Sequence, residues 1–560
     1  MALSSFTGNR NRALAIAAVL TSGVTASGIQ AFAQELYPNN LVVSRSVYDN
    51  RASNVKVGTI LPPNCAETLG GCSAVTGATN DGTYPYVFNN DLYDGSFGIT
   101  SRIYLDQISI FGREINSIEV PNSDEKHLGS PSHMVTSFSS KSELALNLST
   151  DGKKLTFMGY VAPVNALDVS NSNTPLAIDP TNPDGQTTYY RAVAEIGEEG
   201  RFKFTETNAY SGNNGRAAIL NNSNGASFFY TAGNAGNGAN PQPAGVVEGA
   251  GAQLIVPTRQ DEEAQDPALP TPVGSFNVTE LKDKADKIGK DDNFRGMTIF
   301  NNVLYYTKGS GGNGVNTVYF VDTTGTACPT GVGLPVAGAK LPTKSISYDP
   351  MTISTTGLTS NMCILAGFPT ALAKTANPVA YPFGIWFADP KTLYVADEGD
   401  GYTGGTDLYT HAAAQTTAGL QKWVFNSTTK TWSLAYVLSN ELRIGTPYTV
   451  AGYPTGTNAA TGLPWAPATD GLRNITGLVG PDGLVAIWGI TSTVSGGGDT
   501  GADPNRLVVV VDEIANTNPA FAAKTPFIDV KDAHFAEVLR GVSFTPGTNL
   551  EKLKDLFSRR

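Results

Sequence analysis

Short apolar runs punctuated by turn residues recur along the chain. "SELALNLSTDGKKLTFMGYVA" from Ser142 is one such unit, and others are "RAAILNNSNGASFFYTAGNAG" from Arg216 and "RGMTIFNNVLYYTKGSG" from Arg295. "FGIWFADPKTLYVADEGDG" from Phe383 and "RNITGLVGPDGLVAIWGITS" from Arg473 complete the set. Each is a strand, a turn of Asn, Asp, Gly or Pro, and a second strand dense in β-branched and aromatic residues, which is the pattern of a β-hairpin. A sixth unit is divided between the two ends. "LRGVSFTPG" at 539–547 supplies a first strand and half a turn, and "NLVVSRSV" at 40–47 supplies a second strand alone.

A repeat whose halves lie at opposite termini predicts a ring: an all-β, six-bladed β-propeller in which the C-terminal inner strand joins the N-terminal blade. Outer strands are expected at Ile103–Ile110 with Glu114–Val120, Tyr189–Ile196 with Arg201–Tyr210, Thr317–Asp322, Gly419–Phe425 with Thr431–Leu438, and Arg506–Asp512 with Pro526–Val530. The third blade is the least defined. Hairpins start about 70 to 90 residues apart, well above the roughly 40–45 of a compact propeller blade, so long insertions are expected between strands. The predicted plan is a signal peptide over 1–33, one propeller over 34–547, and a helix or tail over 548–560.

Composition agrees with short strands and turns: 60 Gly and 33 Pro, with only 16% charged residues. A net charge of -11 without a Lys/Arg cluster excludes a phosphate-backbone binder, and so nucleic acid is not an expected partner. At the amino terminus, Arg10 and Arg12, the apolar "ALAIAAVLTSGV" and the "AFA" before Gln34 have the order of a secretory signal. Elsewhere no segment reaches about 18 consecutive apolar residues, so no transmembrane segment is expected after cleavage. The mature chain is expected to be soluble and secreted or periplasmic. Four cysteines then suggest Cys65 with Cys72 and Cys328 with Cys363 as disulfides, the local pairing among three formal ones.

The fifth hairpin, with its small residue opening the inner strand and "LYVAD" as the second, resembles blades of the NHL and SMP-30/gluconolactonase-like propellers, and a group of secreted propeller proteins of the same plan. The resemblance implies a six-bladed fold, and some such propellers hold calcium at the channel mouth.

Chemistry is expected on the face where loops lead into the inner strands and join second to third strands. There Asp397, Glu398 and Asp400 follow a strand directly, with Gly399 and Gly401 free to turn the backbone, so their oxygens could converge on a hard cation; calcium is the cofactor implied. Acids solvating a Gly-rich turn are the alternative. All four histidines map to loops of this face, His127, His133, His411 and His534, and His133, His411 and His534 are the candidate general acid–base residues.

Arg216, Arg295, Arg473 and Arg540 open inner strands, with Lys141 near the second. They could form an anion-binding ring. However, Asp292, Asp470 and Glu537 stand three residues before three of them, and a clasp pairing each acid with its own arginine is the preferred reading. Blade five breaks the pattern with Phe383. No H-E-x-x-H, G-x-S-x-G or C-x-x-C motif is present. Two functions follow: a cation-dependent hydrolase of lactonase or phosphoesterase type, or a non-catalytic propeller binding a small molecule, glycan, peptide or cell-envelope component.

Overall fold

The computed structural model describes residues 35–49, 51, 56–58, 99–124, 133–138, 140, 142–166, 189–207, 209–210, 214–234, 251–257, 271–272, 293–309, 314–343, 362–459, 462–496 and 501–558. The signal segment, Cys65, Cys72, His127, Lys141 and Asp292 lie outside them.

Six antiparallel sheets form the blades of a propeller. Blade one runs outward from Glu537–Phe544 through Leu41–Val47 and Thr100–Ile108 to Glu114–Glu119. Leu41 pairs with Phe544 and Val47 with Glu537, so the two ends of the chain share one sheet and the ring closes. Blade two is Asn147–Leu148, Leu155–Tyr160, Arg191–Ile196 and Phe202–Thr207. Blade three is Gly215–Asn221, Phe228–Gly233, Ala252–Ile255 and Thr271–Pro272. Blade four is Phe294–Phe300, Val303–Lys308, Thr317–Val321 and Met362–Leu365, with Val332–Gly333 added in parallel at the edge. Blade five is Pro382–Asp389, Thr392–Asp397, Gly419–Asn426 and Thr431–Leu438, and blade six is Ala468–Val479, Leu484–Val494, Arg506–Glu513 and Phe527–Asp532.

The core sits between blades. Val42, Ile103 and Leu105 of blade one pack with Leu155, Phe157 and Ala192 of blade two, and Tyr394 and Leu420 of blade five pack with Ile487 and Val508 of blade six. The ring is completed where Leu484 and Trp488 of blade six meet Leu41, Val43 and Phe544 of blade one, the Trp488 ring edge-on to Phe544 at 5.9 Å. Stripping water from both faces of each sheet is what the β-branched and aromatic runs of the sequence accomplish.

Inner hairpins are tight. Asn301 and Asn302 both take positive φ, 48° and 60°, the mirror-image turn whose twist suits two paired strands and which asparagine tolerates better than most residues. At the rim of blade four the Cys328–Cys363 disulfide fastens the loop after Thr317–Val321 to the fourth strand. A helix spans Leu408–Ala413 between the second and third strands of blade five, and another spans Leu550–Ser558 at the carboxy terminus. Among the described residues no helix is long and apolar enough to cross a membrane.

Candidate functional site

The arginines that open the inner strands share a backbone device. In five blades the inner strand carries a bulge at the same level. Arg540 and Gly541 oppose Ser44, Arg295 and Gly296 oppose Thr307, Phe383 and Gly384 oppose Ala396, Arg473 and Asn474 oppose Ile490, and Arg216 is the extra residue in blade three. A bulge kinks its strand and re-aims a side chain. It also brings neighbouring blades into contact: a Cβ on Gly296 would stand 2.1 Å from the Phe383 carbonyl oxygen, one on Gly384 2.4 Å from that of Arg473, and one on Gly541 2.3 Å from that of Leu144. Blade six makes the contact with a side chain, as Asn474 Nδ2 donates to the Arg540 carbonyl at 2.8 Å.

The four arginines are buried, with 2–6% of their surface exposed. Arg216 donates from Nε to Ser142 Oγ at 2.8 Å, and from Nη1 to the Phe294 carbonyl at 2.6 Å and to Asn293 Oδ1. Arg295 donates from Nη1 to the same Ser142 Oγ at 2.8 Å and lies over the Phe383 ring, 5.9 Å from its centre. Arg473 pairs with Glu398 at 3.1 Å, and Arg540 donates to the Phe138 carbonyl and to Ser46 Oγ. Burial pulls Arg216 below the usual guanidinium range, and the neighbouring charge of Arg295 pulls it further. Burial likewise lowers Arg295; Glu398 opposes the shift and Arg473 adds to it.

The expected clasp is corrected at blade one. Glu537 forms its ion pair with Arg45 at 2.6 Å and accepts from the His534 backbone N–H, not from Arg540. Glu537 and Arg540 lie three apart on one strand, where alternation directs side chains to opposite faces. Arg473 reaches across to Glu398 of blade five, and Asp470 accepts from Gln415 Nε2 at 2.6 Å. Asp292 is outside the described residues.

The acidic loop of blade five distributes its carboxylates among different partners. Asp397 is fully buried and accepts from the backbone N–H groups of Tyr381 and Gly399 and from Gln421 Nε2, at 3.0–3.1 Å. Burial drives its carboxyl well above the usual range, and the charges of Glu398 and Asp470 add to the rise. Glu398 holds Arg473. Asp400 lies 2.6 Å from His411 Nε2 and accepts from the Tyr402 N–H at 3.0 Å. Gly399 and Gly401 sit at φ 107° and 76°, conformations that a side chain would strain. Among the described residues, the one group of three potential metal ligands within 4.8 Å of each other is Asp322 with Cys328 and Cys363, whose sulfurs form the disulfide.

The candidate histidines occupy different surroundings. His411 stacks on Tyr402 at 4.0 Å between ring centres and is steered by Asp400. His133 lies close enough to Glu206 to favour its ionised form against the burial that raises it. His534 is exposed at the turn before the closing strand.

Beyond the arginine level the inner strands line a central well of about 1320 Å³ that extends to the inner hairpin turns of blades two, three and four. Its wall mixes amides and hydroxyls, such as Asn147, Ser149, Asn221, Asn302 and Thr476, with aliphatic side chains such as Leu146, Ile219 and Met297, and Phe228, Phe544 and the half-buried Trp386 add aromatic surfaces. Lys340 is its one titratable lining residue among those described. Sequence reasoning directed attention to the opposite face and missed the well, because its lining is neutral and scattered over all six blades. The run of Asn and Thr in successive inner hairpins is the signal that could have pointed there.

No protein-family model and no curated protein matches the chain. Among solved structures, it is similar to the GH74 xyloglucanase from Xanthomonas campestris, at 8% identity over 77% of this chain and 52% of that one, with a TM-score of 0.28. It is also similar to the GH74 enzyme of Niastella koreensis, at 10% identity over 77% and 54%, TM-score 0.23. A B. megaterium levansucrase matches at 11% identity over 76% and 94%, TM-score 0.27. The chain spans about half the length of the two GH74 enzymes, and likeness at this level assigns it no activity.

Proposed function

We propose that the protein is a binding propeller whose central well takes a neutral, hydroxyl-rich ligand of the glycan class. The observation that carries this reading is the lining: a volume of about 1320 Å³ whose wall alternates amides and hydroxyls with apolar side chains, three of them aromatic, and in which Lys340 is the one titratable group among the described residues. Amides and hydroxyls exchange hydrogen bonds with sugar hydroxyls, and a ring such as Trp386 supplies an apolar platform. Acid–base chemistry needs groups that titrate, and among the described residues this wall supplies one amine, with no base beside its hydroxyls. Calorimetry and tryptophan fluorescence with a panel of neutral oligosaccharides test it. Binding is expected in the wild type and weakened about tenfold or more in Trp386→Ala; a panel that gives no saturable binding overturns it.

A second reading rests on Asp400 and His411. A carboxylate 2.6 Å from an imidazole steers the ring as a general base requires, and His411 is part-exposed. This is the hydrolase reading implied by the resemblance to SMP-30-like propellers, with calcium on Asp397, Glu398 and Asp400; it requires Glu398 to leave Arg473, and Asp400 to offer the ion Oδ1 while Oδ2 stays on His411. Turnover of lactones or phosphoesters that is lost on chelation and in His411→Ala would establish it in place of the first.

A further inference from the structure

Arg216 Nε and Arg295 Nη1 each stand 2.8 Å from one oxygen, Ser142 Oγ. The two nitrogens are therefore no more than about 5.6 Å apart, twice that distance, and a hydroxyl oxygen has the two lone pairs to accept both. Among the described residues neither arginine has a carboxylate within ion-pair distance. Glu398 is engaged by Arg473. Glu143 is the other buried acid whose charge reaches Arg216, yet its oxygens are taken by Tyr160, Asn214, Thr136 and the Ser137 N–H.

Arg295 is the sharper case. It is 6% exposed, its Nη1 has the shared serine, and its Nε has no hydrogen-bond partner. A guanidinium is a planar fork of donors suited to an oxyanion, and leaving it buried with a donor unmet is costly. Blade five places Phe383 where blades one, three, four and six place arginine, which gives Arg295 an aromatic face and avoids a fifth cation. The residues that directly follow three of these positions, Gly296, Gly384 and Asn474, line the well, so the arginines lie one residue past its inner end.

We propose that this inner end of the channel is an oxyanion site, in which a phosphate, sulfate or carboxylate group is held between the guanidinium groups of Arg216 and Arg295. A tetrahedral or planar oxyanion supplies the acceptors that Arg295 Nε lacks and the negative charge that the pair lacks. The site does not depend on a neutral ligand in the well, and it stands if that reading fails.

The test uses the whole protein dialysed into chloride buffer. It is titrated with inorganic phosphate, sulfate or acetate at constant ionic strength, with calorimetry and the melting temperature as readouts. At least one of the three is expected to bind saturably at one site and raise the melting temperature above the chloride control; which one separates the phosphate, sulfate and carboxylate sources. Arg295→Gln is expected to weaken that binding about tenfold or more, and to melt in chloride at or above the wild-type temperature because a like charge is gone. Arg295→Lys keeps the charge without the fork and is expected to fall between them. No saturable binding by any of the three anions overturns the proposal. So does an Arg295→Gln protein that binds as the wild type does. An Arg295→Gln protein that melts well below the wild type in chloride also overturns it, because the arginine is then structural.

Discussion

Lys422 and Arg295 are both cations folded out of water, and the protein treats them differently. Lys422 lies at the seam of blades five and six with Asp512 at 3.0 Å, both fully buried. Its ammonium also reaches Tyr436 Oη and the carbonyls of Glu513 and Asn516, while Asp512 accepts from Tyr394 and Tyr436. Every group there has a partner, and the result is a pin between two sheets. Arg295, at the channel, has one serine, an aromatic ring and an unmet Nε. A closed charge network reads as structure, whereas a buried cation with open donors reads as a place for something else.

Removing a partner from each region should break them in opposite ways. The largest expected effect is at the pin: Asp512→Ala strands Lys422 and should cost about 3–5 kcal/mol in urea unfolding, and a loss below 1 kcal/mol would void the contrast. Next in size is the disulfide at the rim of blade four. It joins residues 35 apart, and Cys328→Ser should cost about 3–4 kcal/mol by loop-closure entropy. Gly296→Ala pushes a methyl onto the Phe383 carbonyl, and overpacking of this kind should cost about 1–3 kcal/mol; a neutral result would mean the blades slide freely at the bulge.

Asp503 in blade six offers a pH handle on the same comparison. Burial raises its carboxyl to about 6, against hydrogen bonds from Tyr453 and Ser495 that lower it. Its folded value lies above its unfolded one, so the native state holds the proton more tightly. Stability should therefore decline as pH rises from about 4 through 6 and stay reduced above it, by roughly 2–3 kcal/mol. Asp503→Asn should flatten that slope and melt higher than the wild type at pH 8; an unchanged profile would refute the assignment. The smallest change is expected from Arg295→Gln without added anion, within about 1 kcal/mol of the wild type or above it.

The ring was legible in the sequence because its evidence is local and repeated: hairpins with turn residues between β-branched runs, and a half-hairpin at each end. Blades two, five and six match the expected outer strands to within a few residues, since each strand is a run rich in β-branched and aromatic residues bounded by turn residues. Blade four was harder. Its fourth strand, Met362–Leu365, follows a long Gly-, Thr- and Pro-containing insertion, and its parallel edge Val332–Gly333 is too short to carry a period. The site was less legible than the fold. Arg295 and Arg473 were visible as a repeated position, but their partners, Ser142 and Glu398, come from other blades. The Glu537 clasp failed because proximity in a strand is not proximity in space. A recurring Gly after Arg, at Gly296 and Gly541, was the sequence trace of the bulges.

Closure of blade one also sets a timetable. Ser46 meets Val538 across 492 residues of chain, and a ribosome working at about 5–20 residues per second needs about 25–100 s to make that interval. Throughout it, Leu41–Val47 has no inner neighbour, an apolar strand with one open edge. Five blades can assemble in turn as they emerge, but the ring is finished only once Glu537–Phe544 has been made.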